Sequence, residues 1–116
     1  MEARALWKVY QSGDNMVQAV RGINIKLLQG EMVAIMGPSG CGKSTLLNII
    51  GGLLPADRGE IILKDRKYGL KNPSNVVDVR REYVGWIFQD FHLLDNLSAI
   101  DNVAMALELS GMPSLE

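Results

Sequence analysis

Cysteine is nearly absent: Cys41 is the only one among 116 residues. No internal disulfide can form, and an oxidising compartment gains no support. Long hydrophobic runs are missing too. The longest apolar stretch, residues 46–54, is interrupted by Asn48, Gly51 and Gly52, whereas a membrane span needs roughly 20 residues. The opening MEARALWKVY holds no apolar core, so no secretory signal is expected. Charge of one sign is not in excess. Twelve basic residues face thirteen acidic ones, for a net charge of -1. The basic field that nucleic-acid binding requires is therefore lacking, and no nucleic-acid partner is expected. Repeats, low-complexity segments and dividing linkers are also missing. What is there is 47 % hydrophobic and 22 % charged, which excludes a disordered tail. The length suits one domain or part of one.

Hydrophobic periodicity places the elements. Residues 5–10 read as a strand, with a turn over Ser12, Gly13, Asp14 and Asn15. Residues 16–20 read as a second strand. Ile23, Ile25 and Leu27 alternate with polar residues, as in a third, half-buried strand. After a turn at Gln29, Gly30 and Glu31, residues 32–36 (MVAIM) are apolar throughout. That pattern predicts a strand covered on both faces. Residues 44–50 predict a helix with Leu46, Ile49, Ile50 and Leu53 at helical spacing, stopped by Gly51 and Gly52. A short strand follows over 60–63, and residues 64–75 read as a polar loop. One or two helical turns are expected over 76–82 and a strand over 83–88 (YVGWIF). Residues 98–109 predict the clearest later helix. Ser98 and Asp101 suit a capping box, Ile100, Val103, Ala104 and Leu107 one apolar face, and Gly111 with Pro113 a stop.

The chemistry lies between the apolar segment and the first helix. Gly37, Pro38, Ser39, Gly40, Cys41, Gly42, Lys43 and Ser44 match G-x-x-x-x-G-K-[ST] at every fixed position. Glycines there allow a backbone to wrap closely around a phosphate. Its N–H groups then point inward at the positive end of a helix dipole. Lys43 supplies a point charge for the β- and γ-phosphates. The Ser44 hydroxyl is an oxygen donor of the kind Mg²⁺ prefers. The motif, extended through Thr45, predicts a nucleoside triphosphate ligand. Cys41, beside a lysine near a helix N-terminus, is either an activated thiol or a small residue at a tolerant position.

With these residues in view, the chain resembles the N-terminal half of an ABC transporter ATP-binding subunit. Tyr10 lies where this family places an aromatic that stacks on adenine. The segments NIKLLQGEMVAIMGPSGCGKSTLLNIIGGL and PADRGEI resemble the family's phosphate-loop region and the turn after its helix. VGWIFQDFHLL resembles the Q-loop, with Gln89 in the glutamine's place. MGPSGCGKSTLLNIIGGL and FQDFHLLDNLSAIDNV are most similar to the macrolide-export, lipoprotein-releasing and FtsE-like branch.

The resemblance implies an α/β fold: a P-loop NTPase core with an antiparallel β subdomain, cut within the helical subdomain. Residues 1–116 would form one partial nucleotide-binding domain, in which the face of the strand over residues 32–36 is incompletely covered and leaves apolar surface exposed. It implies ATP and Mg²⁺ as ligands, with Tyr10 on the adenine and with Ser44 and Gln89 toward the metal and attacking water. It also implies a transmembrane permease partner, a second nucleotide-binding domain in a dimer, and a place on the cytoplasmic face of the membrane. The alternative for Tyr10 is a core tyrosine at a strand end.

Other parts of the family's machinery have no counterpart in these residues. The run Phe91, His92, Leu93, Leu94, Asp95 imitates an acidic strand end, but His92 breaks it and Asn96 stands in the glutamate's place. Leu109, Ser110 and Gly111 imitate the start of LSGGQ, yet a helix stop explains Gly111 better. His92 is the only histidine and is misplaced for a switch; an exposed loop histidine is expected. The 116 residues alone are therefore expected to bind ATP without hydrolysing it. Competing readings are a non-catalytic nucleotide-binding module and a small P-loop kinase or GTPase. The GTPase reading lacks an N-K-x-D motif.

Overall fold

The computed structural model describes residues 1–38, 40, 42–70, 76–109 and 111. They fall into two compact units, Met1–Val77 and Asp78–Glu116.

The first unit is built on a four-stranded antiparallel sheet. Strands β1 (Glu2–Ser12), β2 (Asn15–Lys26), β3 (Arg58–Leu63) and β4 (Arg66–Tyr68) lie in the order β2-β1-β3-β4. β1 and β2 form a long hairpin, Ser12 pairing with Asn15 at one end and Glu2 with Lys26 at the other. Met1 and Leu27 exchange two more hydrogen bonds beyond it. The strands expected over 16–20 and 23–27 are thus one strand. Irregularities in the pairing let it run on without a break.

Two of these irregularities matter. At the first, Ala5 has φ 49° and its N–H donates to the Asn24 side chain at 2.9 Å. On β3, Gly59 (φ 93°) closes against this bulge. A Cβ there would lie 2.4 Å from the Ala5 carbonyl oxygen, so only glycine fits. At the second, the register passes from Lys8 opposite Val20 to Val9 opposite Gln18. Ala19 is left unpaired, as the extra residue of a β-bulge is.

Helix α1 (Lys43–Ile50) buries Leu46 and Ile49, three residues apart and hence on one face. Leu6, Ile49 and Ile61 are fully buried, and Ala3, Val20, Ala56 and Tyr68 are also core residues. Each large apolar side chain so buried contributes about 1.5–3 kcal/mol. The helix ends at Gly51, whose N–H donates to Leu47 O at 2.8 Å, and Gly52 turns the chain away with φ 79°.

Three expectations are corrected. Residues 32–36 form no strand, and Met32 and Met36 are 97 % and 87 % exposed. A run apolar on both faces needs neighbours on both sides for its ladder bonds and its cover. Among the described residues no strand pairs with it. Residues 84–88 likewise form no strand, with Ile87 exposed. Conversely, residues 66–68, read as loop, form β4 and pair with β3 from Ile61–Tyr68 to Leu63–Arg66.

Helix α2 (Val76–Tyr83) runs across the boundary at Val77. The second unit then holds α3 (Ala99–Leu109). Ser98 caps it: its Oγ accepts the Asp101 N–H at 3.1 Å. Gly111 (φ 95°) donates its N–H to Glu108 O at 3.0 Å beyond the other end. The apolar stripe of α3 exists but buries no residue.

Candidate functional site

The phosphate-loop motif leads straight into α1. Ser39 and Cys41 lie outside the described residues, so the loop is seen through Gly37, Pro38, Gly40, Gly42, Lys43, Ser44 and Thr45. Gly42 is the N-cap, in the left-handed region at φ 95° and ψ 9°. A Cβ on Gly42 would lie 2.2 Å from the Ala19 carbonyl oxygen. The β2 bulge therefore fixes where the loop ends and the helix begins.

That helix start is open. Among the described residues no side chain caps it, and its first turn carries no acidic residue. The first-turn N–H groups of a helix have no carbonyl partners within it, and the dipole is positive there. The Lys43 ammonium folds back and donates to the Gly37 carbonyl, drawing the first residue of the motif toward its last turn. Ser44 is exposed and Thr45 half-buried. Uncapped donors, a cation and an exposed hydroxyl in one place form a donor set that fits a phosphate with its Mg²⁺. A hollow of about 170 Å³, lined by Val20, Ile23, Ile35, Met36, Leu46 and Lys43, has mostly carbon walls and suits side-chain packing instead.

Tyr10 stands near the end of β1 opposite Val17 and is 41 % exposed. The Lys8 ammonium lies 5.5 Å from its ring centroid and 3.6 Å from Asp57 Oδ1.

Gln89 belongs to the second unit and is exposed in a tight reversal. Phe91 N–H donates to Phe88 O at 3.1 Å, and His92 N–H to Asp90 O at 2.7 Å. Phe91 and His92 both have positive φ, 64° and 51°, a conformation unfavourable to side chains with a Cβ. Stacking offsets it: the Phe88 ring lies 4.2 Å from the His92 ring and 5.6 Å from that of Trp86, centroid to centroid. His92 is exposed, as expected, and residues 91–95 form no strand. Asp90, Asp95 and Asn96 are exposed as well.

Four contributors escaped sequence reading. Ala19 acts through its carbonyl, which no side-chain pattern announces. Lys8 and Asp57 belong to no motif, and only their pairing in the structure singles them out. Asn102 belongs to no motif either, yet its amide oxygen accepts the Leu94 N–H at 2.9 Å. Its amide nitrogen donates to the carbonyls of Leu94, Leu97 and Ser98. Asn102 thereby ties the segment after Gln89 to α3.

A glycine-ended, lysine-closed loop at an uncapped helix, beside an antiparallel β subdomain, is the architecture of a P-loop nucleotide-binding unit. The family model described as ABC transporter matches residues 20–114, and the chain belongs to that family. It is 43 % identical over 109 residues to an uncharacterized ABC transporter ATP-binding protein, MJ1508, of Methanocaldococcus jannaschii, covering 94 % of this chain and 49 % of that one. It is 43 % identical over 114 residues to the macrolide export ATP-binding/permease protein MacB of Bordetella avium, covering 98 % and 17 %. It is 39 % identical over 111 residues to the lipoprotein-releasing system ATP-binding protein LolD of Alcanivorax borkumensis, covering 96 % and 49 %. Among solved structures it superposes with a TM-score of 0.88 and 34 % identity on the dimeric ATP-binding cassette MJ0796 in a post-hydrolysis state with ADP and Pi. That match covers 99 % of this chain and 50 % of that one. The chain thus spans about half the length of its cassette relatives. Among the described residues, no helix is long and apolar enough to cross a membrane.

Proposed function

We propose that residues 1–116 are the ATP-cradling half of an ABC-type nucleotide-binding domain whose protein powers export or lipoprotein release. The observation that carries this reading is the start of α1. Its N–H donors are uncapped, Gly42 is pressed against Ala19, and Lys43 closes on Gly37. Gly37, Pro38, Gly40 and Gly42 wrap the phosphates with their backbone. Lys43 exchanges the Gly37 carbonyl for phosphate oxygens, a stronger, charge-assisted contact. Ser44 and Thr45 offer hydroxyls at the first turn. Tyr10 stacks on the adenine. The Ser44 hydroxyl would hold Mg²⁺, which when bound would neutralise phosphate charge.

Likeness to MacB and LolD supports a permease partner and a place on the cytoplasmic face of a membrane. The dimeric MJ0796 cassettes support pairing with a second nucleotide-binding domain. The test is nucleotide affinity, measured by titrating a fluorescent ATP analogue. Lys43→Ala should weaken binding by about 1.5–3 kcal/mol. Equal affinities for the two forms would overturn the assignment.

A further inference from the structure

The phosphate-loop reading leaves Lys8 and Asp57 without a role, yet both are held in place. Lys8 and Tyr10 are two residues apart on β1, so their side chains share a face of the sheet. The Lys8 side chain is only 13 % exposed, although a lysine usually extends into water. Its ammonium sits between the Tyr10 ring, 5.5 Å to the centroid, and Asp57 Oδ1 at 3.6 Å. Asp57 is itself anchored twice to β1. Its Oδ2 accepts the Val9 N–H at 2.7 Å, and its own N–H donates to Trp7 O at 2.8 Å. A carboxylate fixed to the backbone thus holds a cation against an exposed aromatic ring.

We propose that Lys8 is a positioning residue for the nucleotide base. Pinned by Asp57, its ammonium takes one face of the Tyr10 ring and leaves the other for a stacked purine. This rests on the reading of Tyr10 as the base platform. The physical gain is pre-organisation. A ring held before binding loses less rotamer freedom when the base arrives, and the cation restricts the base to one side. The arrangement bears on the base alone and has no bearing on the triphosphate.

The experiment compares affinities for ATP and for inorganic triphosphate, which lacks a base. Lys8→Met should weaken ATP binding about two- to fivefold and leave triphosphate binding unchanged. Lys8→Arg, which keeps both the cation and the ion pair, should restore ATP binding. Tyr10→Ala should reduce the preference for ATP over triphosphate and remove any further effect of Lys8→Met. Equal loss of both ligands in Lys8→Met, or no loss of either, would overturn the positioning role while leaving the platform standing. An unchanged preference in Tyr10→Ala would overturn the platform itself, and the role of Lys8 with it.

Discussion

Gly42 and Ala19 meet backbone to backbone: a Cβ on Gly42 would lie 2.2 Å from the Ala19 carbonyl oxygen. The last glycine of the motif therefore answers to two demands. One is its left-handed φ of 95°; the other is the bulge in β2 that its backbone touches.

Gly40 allows these demands to be separated. It also has a positive φ, 81°, but a Cβ there meets nothing within 4 Å. Alanine at either position should lose about 1–2 kcal/mol to the left-handed backbone. Gly42→Ala should lose about 1–3 kcal/mol more, because the obstacle is a backbone oxygen that cannot rotate aside. Urea denaturation of both variants checks this. Equal midpoints would mean that Ala19 does not confine the loop.

The other end of α1 is held by Tyr68, whose hydroxyl donates to the Ile50 carbonyl. Burial pushes the phenol from its ordinary 10.0 up to about 12. Folding thus favours the protonated phenol. Its contribution is complete below about pH 10 and is lost as pH rises through about 12. Thermal melts from pH 8 to 12 should show this alkaline loss, and Tyr68→Phe should flatten it. At neutral pH the same variant should be less stable by about 0.5–1.5 kcal/mol, the worth of one hydrogen bond. An identical alkaline slope in both proteins would assign the loss to other groups.

Asn102 offers a test in the second unit. Asn102→Ala removes the acceptor for the Leu94 N–H and the donor to three carbonyls. The Leu94 amide should then exchange with solvent at least about tenfold faster, corresponding to about 1.4 kcal/mol of lost protection. Asn102→Asp keeps an acceptor and should retain part of that protection. Unchanged exchange in Asn102→Ala would show that the segment is held by other contacts.

These sites differ in how openly the sequence displays them. The residues from Gly37 to Ser44 are contiguous and demand specific types, so the motif and the helix after it were legible. So was the Ser98 cap, a local hydrogen bond to Asp101. The bulge at Ala19 was not, because backbone register leaves no mark on side-chain type. β4 was hidden because Tyr68 is its only buried residue, and one residue shows no alternation. Residues 32–36 misled for the opposite reason. Their apolar character on both faces describes a strand among neighbours, and the described residues supply none. Lys8 and Asp57 were illegible because their pairing crosses from β1 to the segment after α1.

The 116 residues alone should bind ATP and release phosphate from it far more slowly than a full-length cassette. Hydrolysis requires a water held in line with the γ-phosphate and a carboxylate beside it. Gln89 can orient water but is a poor base. The nearest carboxylates in sequence, Asp90 and Asp95, are exposed on the reversal and just after it, where solvent screens them. The residues from Phe91 to Asp95 do not form the strand on which an acidic metal ligand would sit. The sequence also holds no LSGGQ to stabilise charge developing on a partner's nucleotide. Losing a carboxylate and a charge clamp together should lower turnover by about three orders of magnitude or more. Phosphate release is measured on the purified chain, with Lys43→Ala as the control for contaminating ATPases. Turnover matching that of a full-length cassette, and abolished by Lys43→Ala, would place a working carboxylate within these residues and overturn the expectation.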